Sequence, residues 1–205
     1  MTLSLAVWKI ILSVEWFSGD IMDSYMQLLA NEAPCKVSVC SCYFVGTRLF
    51  NNQNPDLPVF NFMHSVKEHV WFANSGLPNF DCIIMPLSIK NTHFIIVVIY
   101  FRLKVFVISD PLGSDHNAVV HKFVRYLCFK FTSLTGRTFP IEEWKCCKYC
   151  LADWSFPLQS DSNNCGPYVC LIAKCIILNR CLRVACAKSL RWTVCQELVS
   201  QRLLQ

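Results

Sequence analysis

Four residue types able to carry acyl-transfer chemistry follow one another along this 205-residue chain: His93, Asp110, Gln159 and Cys165. Cys165 stands in Gln159-Ser-Asp-Ser-Asn-Asn-Cys165-Gly166-Pro-Tyr, where a polar loop gives way to an apolar run from Tyr168 to Leu178. Read as loop-to-helix, this pattern puts the sulfur in the first turn of a buried helix. The unpaired N–H groups and the positive end of the helix dipole favour negative charge there, as on a thiolate. Gly166 has no side chain, so a substrate backbone has room to approach. A cysteine nucleophile needs a base, and the base needs a group to orient it.

The elements around those residues supply both. Asn91-Thr92-His93-Phe94 leads into an apolar, β-branched run ending at Phe101, which reads as a central strand with His93 at its entrance. Arg102, Leu103 and Lys104 make a short break, and Val105 to Ser109 returns antiparallel. In such a hairpin the start of the first strand lies beside the end of the second. His93 and Asp110 therefore fall at the same end of the sheet, where a carboxylate can hold an imidazole. Gln159 lies a short loop before Cys165, so its amide can join the Cys165 backbone N–H in donating to an oxyanion.

In this order of motifs the chain resembles the Ulp1/sentrin-specific cysteine proteases, which process ubiquitin-like modifiers such as SUMO. The resemblance rests on Thr92-His93-Phe94, Ser109-Asp110-Pro111-Leu112, Pro157-Leu158-Gln159 and Asn164-Cys165-Gly166, with Trp16 to Tyr25 similar to the family's Trp-Leu-Asn-Asp motif. It runs from about Val14 to Arg180. It implies a nucleophile at Cys165, a general base and acid at His93, an orienting carboxylate at Asp110 and an oxyanion donor at Gln159. It also implies that Trp16 and Phe94 wall a narrow tunnel for a Gly-Gly tail. The implied partner is a modifier of SUMO or NEDD8 type and its conjugates, and the implied reaction needs no metal or organic cofactor. Phe94 stands where the family usually has Trp, Asn164 replaces a common Asp, and Pro111 follows the acid where Ser is frequent. Phe17, Ser18 and Gly19 also depart from the Trp-Leu-Asn-Asp pattern. Such departures also suit diverged relatives carried by mobile elements and viruses.

Composition fits one protease domain over residues 1–205. The length allows a sizeable core, with 54% hydrophobic and 16% charged residues. The net charge of +5 comes from scattered basic residues, so no nucleic-acid footprint is expected. Lys9 interrupts the apolar start, so no signal peptide is read, and residues 1–17 are expected to form a first strand or helix. Arg102, Lys104, Lys174 and Arg180 break every run long enough to span a membrane. With 14 cysteines this favours a reducing, intracellular setting, nucleus or cytoplasm, with mostly free thiols. A monomer is expected. Cys147-Lys-Tyr-Cys150 has zinc-knuckle spacing, but Cys40-Ser-Cys42, imaginable as its partner, has the wrong gap and is remote, and Cys146 crowds the first pair.

The expected fold class is α+β, papain-like, with a central, mostly antiparallel sheet flanked by helices. Helices are predicted over 19–30, 63–72, 117–134, 165–179 and 184–204. Val120, Phe123, Val124, Leu127 and Phe131 are expected to face inward on the third. Strands are predicted over 36–44, 80–87 (ending at Pro86), 93–109 as the hairpin, and once within 140–156. Residues 51–58 read as a loop. His64, His69, His116 and His121 fit no motif and read as ordinary surface or core residues. Other functions consistent with these residues are a polyprotein-processing protease of a mobile element or virus, and a modifier-binding module without activity. A related protein acyltransferase would be expected to carry a basic cluster for acyl-CoA, which is absent from the sequence.

Overall fold

Ser18 caps the first helix by accepting a hydrogen bond from the Ile21 N–H on its Oγ at 3.4 Å. In the computed structural model, which describes residues 13, 15–42, 78–89, 92–148, 158–179 and 186–204, this helix, α1, covers Gly19–Glu32. Ile21, Met22, Tyr25, Met26, Leu28 and Leu29 form its buried stripe. The chain continues through β1 (Val37–Val39), β2 (Cys82–Ile89), β3 (His93–Tyr100) and β4 (Val105–Ser109). Helix α2 (Asn117–Thr135), a 3-10 turn at Ile141–Glu143, β5 (Lys145–Lys148), α3 (Cys165–Leu178) and α4 (Ala187–Ser200) complete it.

The five strands among the described residues lie side by side in sequence order. Strands β2, β3 and β4 are antiparallel, from Cys82↔Tyr100 to Ile89↔His93 and from Tyr100↔Val105 to Ile96↔Ser109. Both edges are parallel, β1 on β2 and β5 on β4, so the sheet is mixed around an antiparallel centre. The fold is α+β, as expected. Strict alternation divides its two faces. Cys82, Ile84, Phe94, Ile96 and Val98 join one apolar cluster with α1, α3 and α4. Ile83, Met85, Leu87, Ile95, Val97 and Ile99 join the other, with Phe123, Tyr126, Leu127 and Phe131 of α2. This two-sided burial is why β2 and β3 read as continuous apolar runs.

Several boundaries differ from expectation. Strand β2 does not stop at Pro86 but runs on to Ile89, with Pro86 opposite Ile96. Pairing with β1 ends at Ile84, so the proline, which has no N–H to donate, sits where no described strand adjoins that side. Strand β1 is only three residues long. On α2 the inward residues are Val119, Phe123, Tyr126, Leu127 and Phe131, with Val124 half-buried and the Val120 side chain outside the description. Helix α4 starts at Ala187, and residues 15–17 belong to neither helix nor strand. The expected helix over 63–72 and loop over 51–58 lie outside the described residues, as do residues 1–12.

Candidate active site

The hairpin does what its sequence requires. His93 is the first residue of β3, Asp110 follows the last residue of β4, and the two side chains meet. His93 Nε2 lies 2.6 Å from Asp110 Oδ1. A carboxylate only accepts, so His93 Nε2 carries a proton and Nδ1 is the ring nitrogen left to face Cys165. Burial, the largest influence on His93, opposes its charged form. Hydrogen bonds to Asp110 and Cys165, with the charges behind them, outweigh it and raise the pKa to about 9. Burial likewise works against ionised Asp110. Hydrogen bonds from His93 and His116 and from the Leu112 N–H reverse that and hold its pKa at about 2.

Cys165 is the first residue of α3 and is only 3% exposed. Pro167 in the same turn needs no N–H partner, which suits a helix start. Asn179, in the left-handed conformation with φ 49°, closes the other end. The helix rests on β3, where the Tyr100 hydroxyl donates to the Ile176 carbonyl at 3.0 Å. Ahead of the cysteine, Asp161 staples the loop. Its Oδ1 accepts from the Asn163 N–H at 3.1 Å and the Asn164 N–H at 2.9 Å, and its Oδ2 accepts from Asn164 Nδ2 at 2.8 Å. These bonds, after burial's opposing effect, keep the Asp161 pKa below its usual value.

From α4, Arg191 reaches the same loop. Its Nη2 donates to the Asn163 carbonyl at 2.9 Å and the Glu15 carbonyl at 2.6 Å, while its guanidinium lies 5.0 Å over the Phe17 ring. Phe17 in turn fills the place a side chain on Gly166 would occupy, since a Cβ built there comes within 2.8 Å of Phe17 Cβ. The close approach that Gly166 permits in this structure is therefore that of Phe17.

The remaining expected residues divide. The Gln159 backbone N–H donates to the Pro111 carbonyl at 3.0 Å, which joins its loop to the one carrying Asp110. The Gln159 side chain is turned into its own loop, with Nε2 donating to the Asp161 carbonyl at 2.7 Å, and its buried Oε1 has no partner among the described residues. Phe94 is 9% exposed, in the apolar cluster that includes Cys165 and Phe17, whereas Trp16 is 45% exposed. Three contributors went unread in the sequence. His116 was grouped with histidines of no motif, yet its Nε2 lies 2.7 Å from Asp110 Oδ2. Its place just beyond the Pro-Leu-Gly turn after Asp110 was the available signal. Asp161 lay inside a motif already in view. Arg191 had no local signal at all, because its role depends on how α4 packs.

Among the described residues no three His, Cys, Asp or Glu side chains gather as a metal site. Cys40 and Cys42 are buried and Cys147 is exposed, while Cys150 lies outside the described residues. No described helix is long and apolar enough to cross a membrane.

Residues 15–191 match the model of the Ulp1 protease family, C-terminal catalytic domain. The structure resembles that of a SUMO protease Ulp1 with its catalytic cysteine oxidised to a sulfonic acid, at 18% identity and TM-score 0.70, over 97% of this chain and 84% of that one. It also resembles the C-terminal Ulp1 protease domain in complex with Smt3, the yeast ortholog of SUMO, at 14% identity and TM-score 0.72, over 97% and 83% of the two chains. The catalytic domain of a Chaetomium thermophilum Ulp1-like SUMO protease is similar at 14% identity and TM-score 0.62, over 95% and 76%. At such identities the likeness is one of fold.

Proposed function

The chain belongs to the Ulp1 protease family, and from that premise we propose that it hydrolyses the bond after the C-terminal Gly-Gly of a ubiquitin-like modifier, SUMO-like in type. The single observation carrying this reading is the 2.6 Å contact of His93 with Asp110 at the sheet end that Cys165 adjoins. Cys165 acts as a thiolate beside protonated His93 and attacks the carbonyl carbon of the terminal glycine, forming a C–S bond and a tetrahedral oxyanion. The Cys165 backbone N–H at the start of α3 faces that oxygen, and Gln159 joins it once its amide turns from Asp161. The oxyanion collapses, the C–N bond breaks, and His93 Nδ1–H protonates the departing amine. Neutral His93 then takes a proton from water, whose oxygen attacks the thioester and releases the glycine carboxylate and the thiolate.

Arg191, Asp161 and Phe17 hold the nucleophile's loop in place and touch no substrate in this scheme. The exposed Trp16 and largely buried Phe94 are assigned to the two walls around the Gly-Gly tail. The test is hydrolysis of fluorogenic C-terminal adducts of several ubiquitin-like modifiers by wild type and Cys165→Ala. Turnover of the SUMO-type adduct that disappears in the variant supports the reading. Turnover that survives the substitution excludes this nucleophile.

A further inference from the structure

We propose that His116 is a positioning residue for the triad, fixing the Asp110 carboxylate from the side opposite His93. The inference rests on the Cys-His-Asp reading above and adds a fourth member to it. The Asp110 side chain is 1% exposed, so no bulk water surrounds it to satisfy its oxygens. Protein donors do so instead. Oδ1 accepts from His93 Nε2 at 2.6 Å and from the Leu112 N–H at 2.7 Å, and Oδ2 accepts from His116 Nε2 at 2.7 Å. Donors on Oδ1 alone would leave the carboxylate free to swing about its Cβ–Cγ bond. A donor on Oδ2 fixes the plane, and with it the direction in which His93 is held.

The backbone makes this arrangement reproducible. The Asp110 carbonyl accepts from the Gly113 N–H at 2.9 Å, with Gly113 at φ 75°, a turn conformation that glycine adopts without strain. That turn folds the chain back so that His116, immediately before α2, faces the acid it follows by six residues. The His116 carbonyl in turn accepts from the Val119 N–H at 2.9 Å, anchoring the histidine to the first turn of α2. Because Asp110 can only accept, His116 Nε2 is protonated whichever charge the ring carries. The bond therefore needs a neutral N–H donor and not a second positive charge.

The test reads the thiol directly and needs no protein substrate. Iodoacetamide alkylation at Cys165, resolved from the other cysteines by mass spectrometry, is measured at mildly acidic pH, where an unperturbed cysteine is almost wholly thiol. His116→Ala should alkylate roughly tenfold more slowly than wild type, the effect of losing one hydrogen bond to a charged group. His116→Gln should recover most of that rate, because its amide nitrogen can donate to Oδ2. His121→Ala, an exposed position on α2, should match wild type. Melting curves establish that each variant is folded. A folded His116→Ala that alkylates like wild type overturns the proposal, as does a folded His116→Gln as slow as an unstructured thiol. A wild-type Cys165 no more reactive than exposed Cys147 removes the triad and this proposal with it. A reactive Cys165 in a protein that cleaves no modifier removes only the substrate assignment and leaves His116 in its role.

Discussion

Arg191 Nε donates to Asn164 Oδ1 at 2.5 Å, so a helix near the C-terminus directly holds the residue preceding Cys165. The same guanidinium holds the Asn163 and Glu15 carbonyls and covers Phe17. One planar group thereby joins three separate stretches of chain around Cys165. Only arginine offers donors in that spread.

Arg191→Ala should leave those carbonyl groups without their donor and cost about 2–4 kcal/mol of stability, read by urea unfolding. Arg191→Lys should recover less than half of the loss. An ammonium is a point charge and cannot fork between Asn163, Asn164 and Glu15 while lying flat over Phe17. Full recovery by lysine would mean that charge alone matters at this position.

Asn164→Asp is nearly isosteric and strengthens the acceptor facing Arg191, yet it should destabilise this protein at neutral pH. Asn164 Nδ2 donates to Asp161 Oδ2 at 2.8 Å, and the substitution turns that donor into a second carboxylate oxygen. Two facing carboxylates raise the folded-state pKa of one of them, so the loss is largest above the ordinary carboxylate range and shrinks as pH falls into it. Thermal melting of both proteins across that range reads the sign. A variant as stable as wild type at neutral pH would mean that the Arg191 charge outweighs the repulsion.

The raised pKa of His93 sets an alkaline limit. Folded His93 titrates at about 9, against about 6.5 for an unfolded histidine. Its contribution to stability is therefore complete below the unfolded value and lost as pH rises through about 9. In the proposed mechanism this proton goes to the leaving amine, so peptidase activity should fall over the same range. Cys165 is one cause of the shift, so Cys165→Ala should lower the His93 pKa while Asp110 keeps it above the ordinary value. An NMR titration of the histidine ring reads this. An unchanged pKa in the variant would mean that thiol and imidazole do not interact.

Asp110 works in the opposite direction. Its folded pKa of about 2 lies below the unfolded value, so its stabilisation is present above the ordinary carboxylate range and lost as pH falls toward 2. Asp110→Asn should remove that part of the acid sensitivity, seen as a flatter melting temperature between pH about 4 and 2. A melting profile as steep as wild type would place the acid sensitivity elsewhere.

The central hairpin was readable because its chemistry is local. Burial on both faces writes a continuous apolar run, and a short break writes the turn, so the sequence alone places His93 and Asp110 at the same end of the sheet. Helix α3 was readable for a similar reason, as a polar loop running into apolar residues with Asn179 at its end. Pro86 misled because a proline usually ends a strand, and only the shortness of β1 makes its position tolerable. Arg191 and Phe17 were unreadable for a different reason. Their partners are set by how α4 and the segment before α1 pack on α3, and no spacing along the chain encodes that.

Gly166 shows the same dependence on distant partners and gives a sharp test. A Cβ added there lies 2.8 Å from Phe17 Cβ and 3.2 Å from its Cγ and Cδ2. Phe17 Cβ is one bond from its backbone and cannot rotate away, so the helix start or the segment before α1 must shift. Gly166→Ala should therefore cost about 1–3 kcal/mol by overpacking and displace Cys165 enough to reduce turnover. Phe17→Ala alone should cost about 3–5 kcal/mol, because a buried ring is removed. If the clash is the cause, the alanine at 166 should cost little once the ring is gone, and the double variant should be more stable than additivity allows. Strict additivity in denaturant unfolding would separate the two residues and return Gly166 to a role toward substrate.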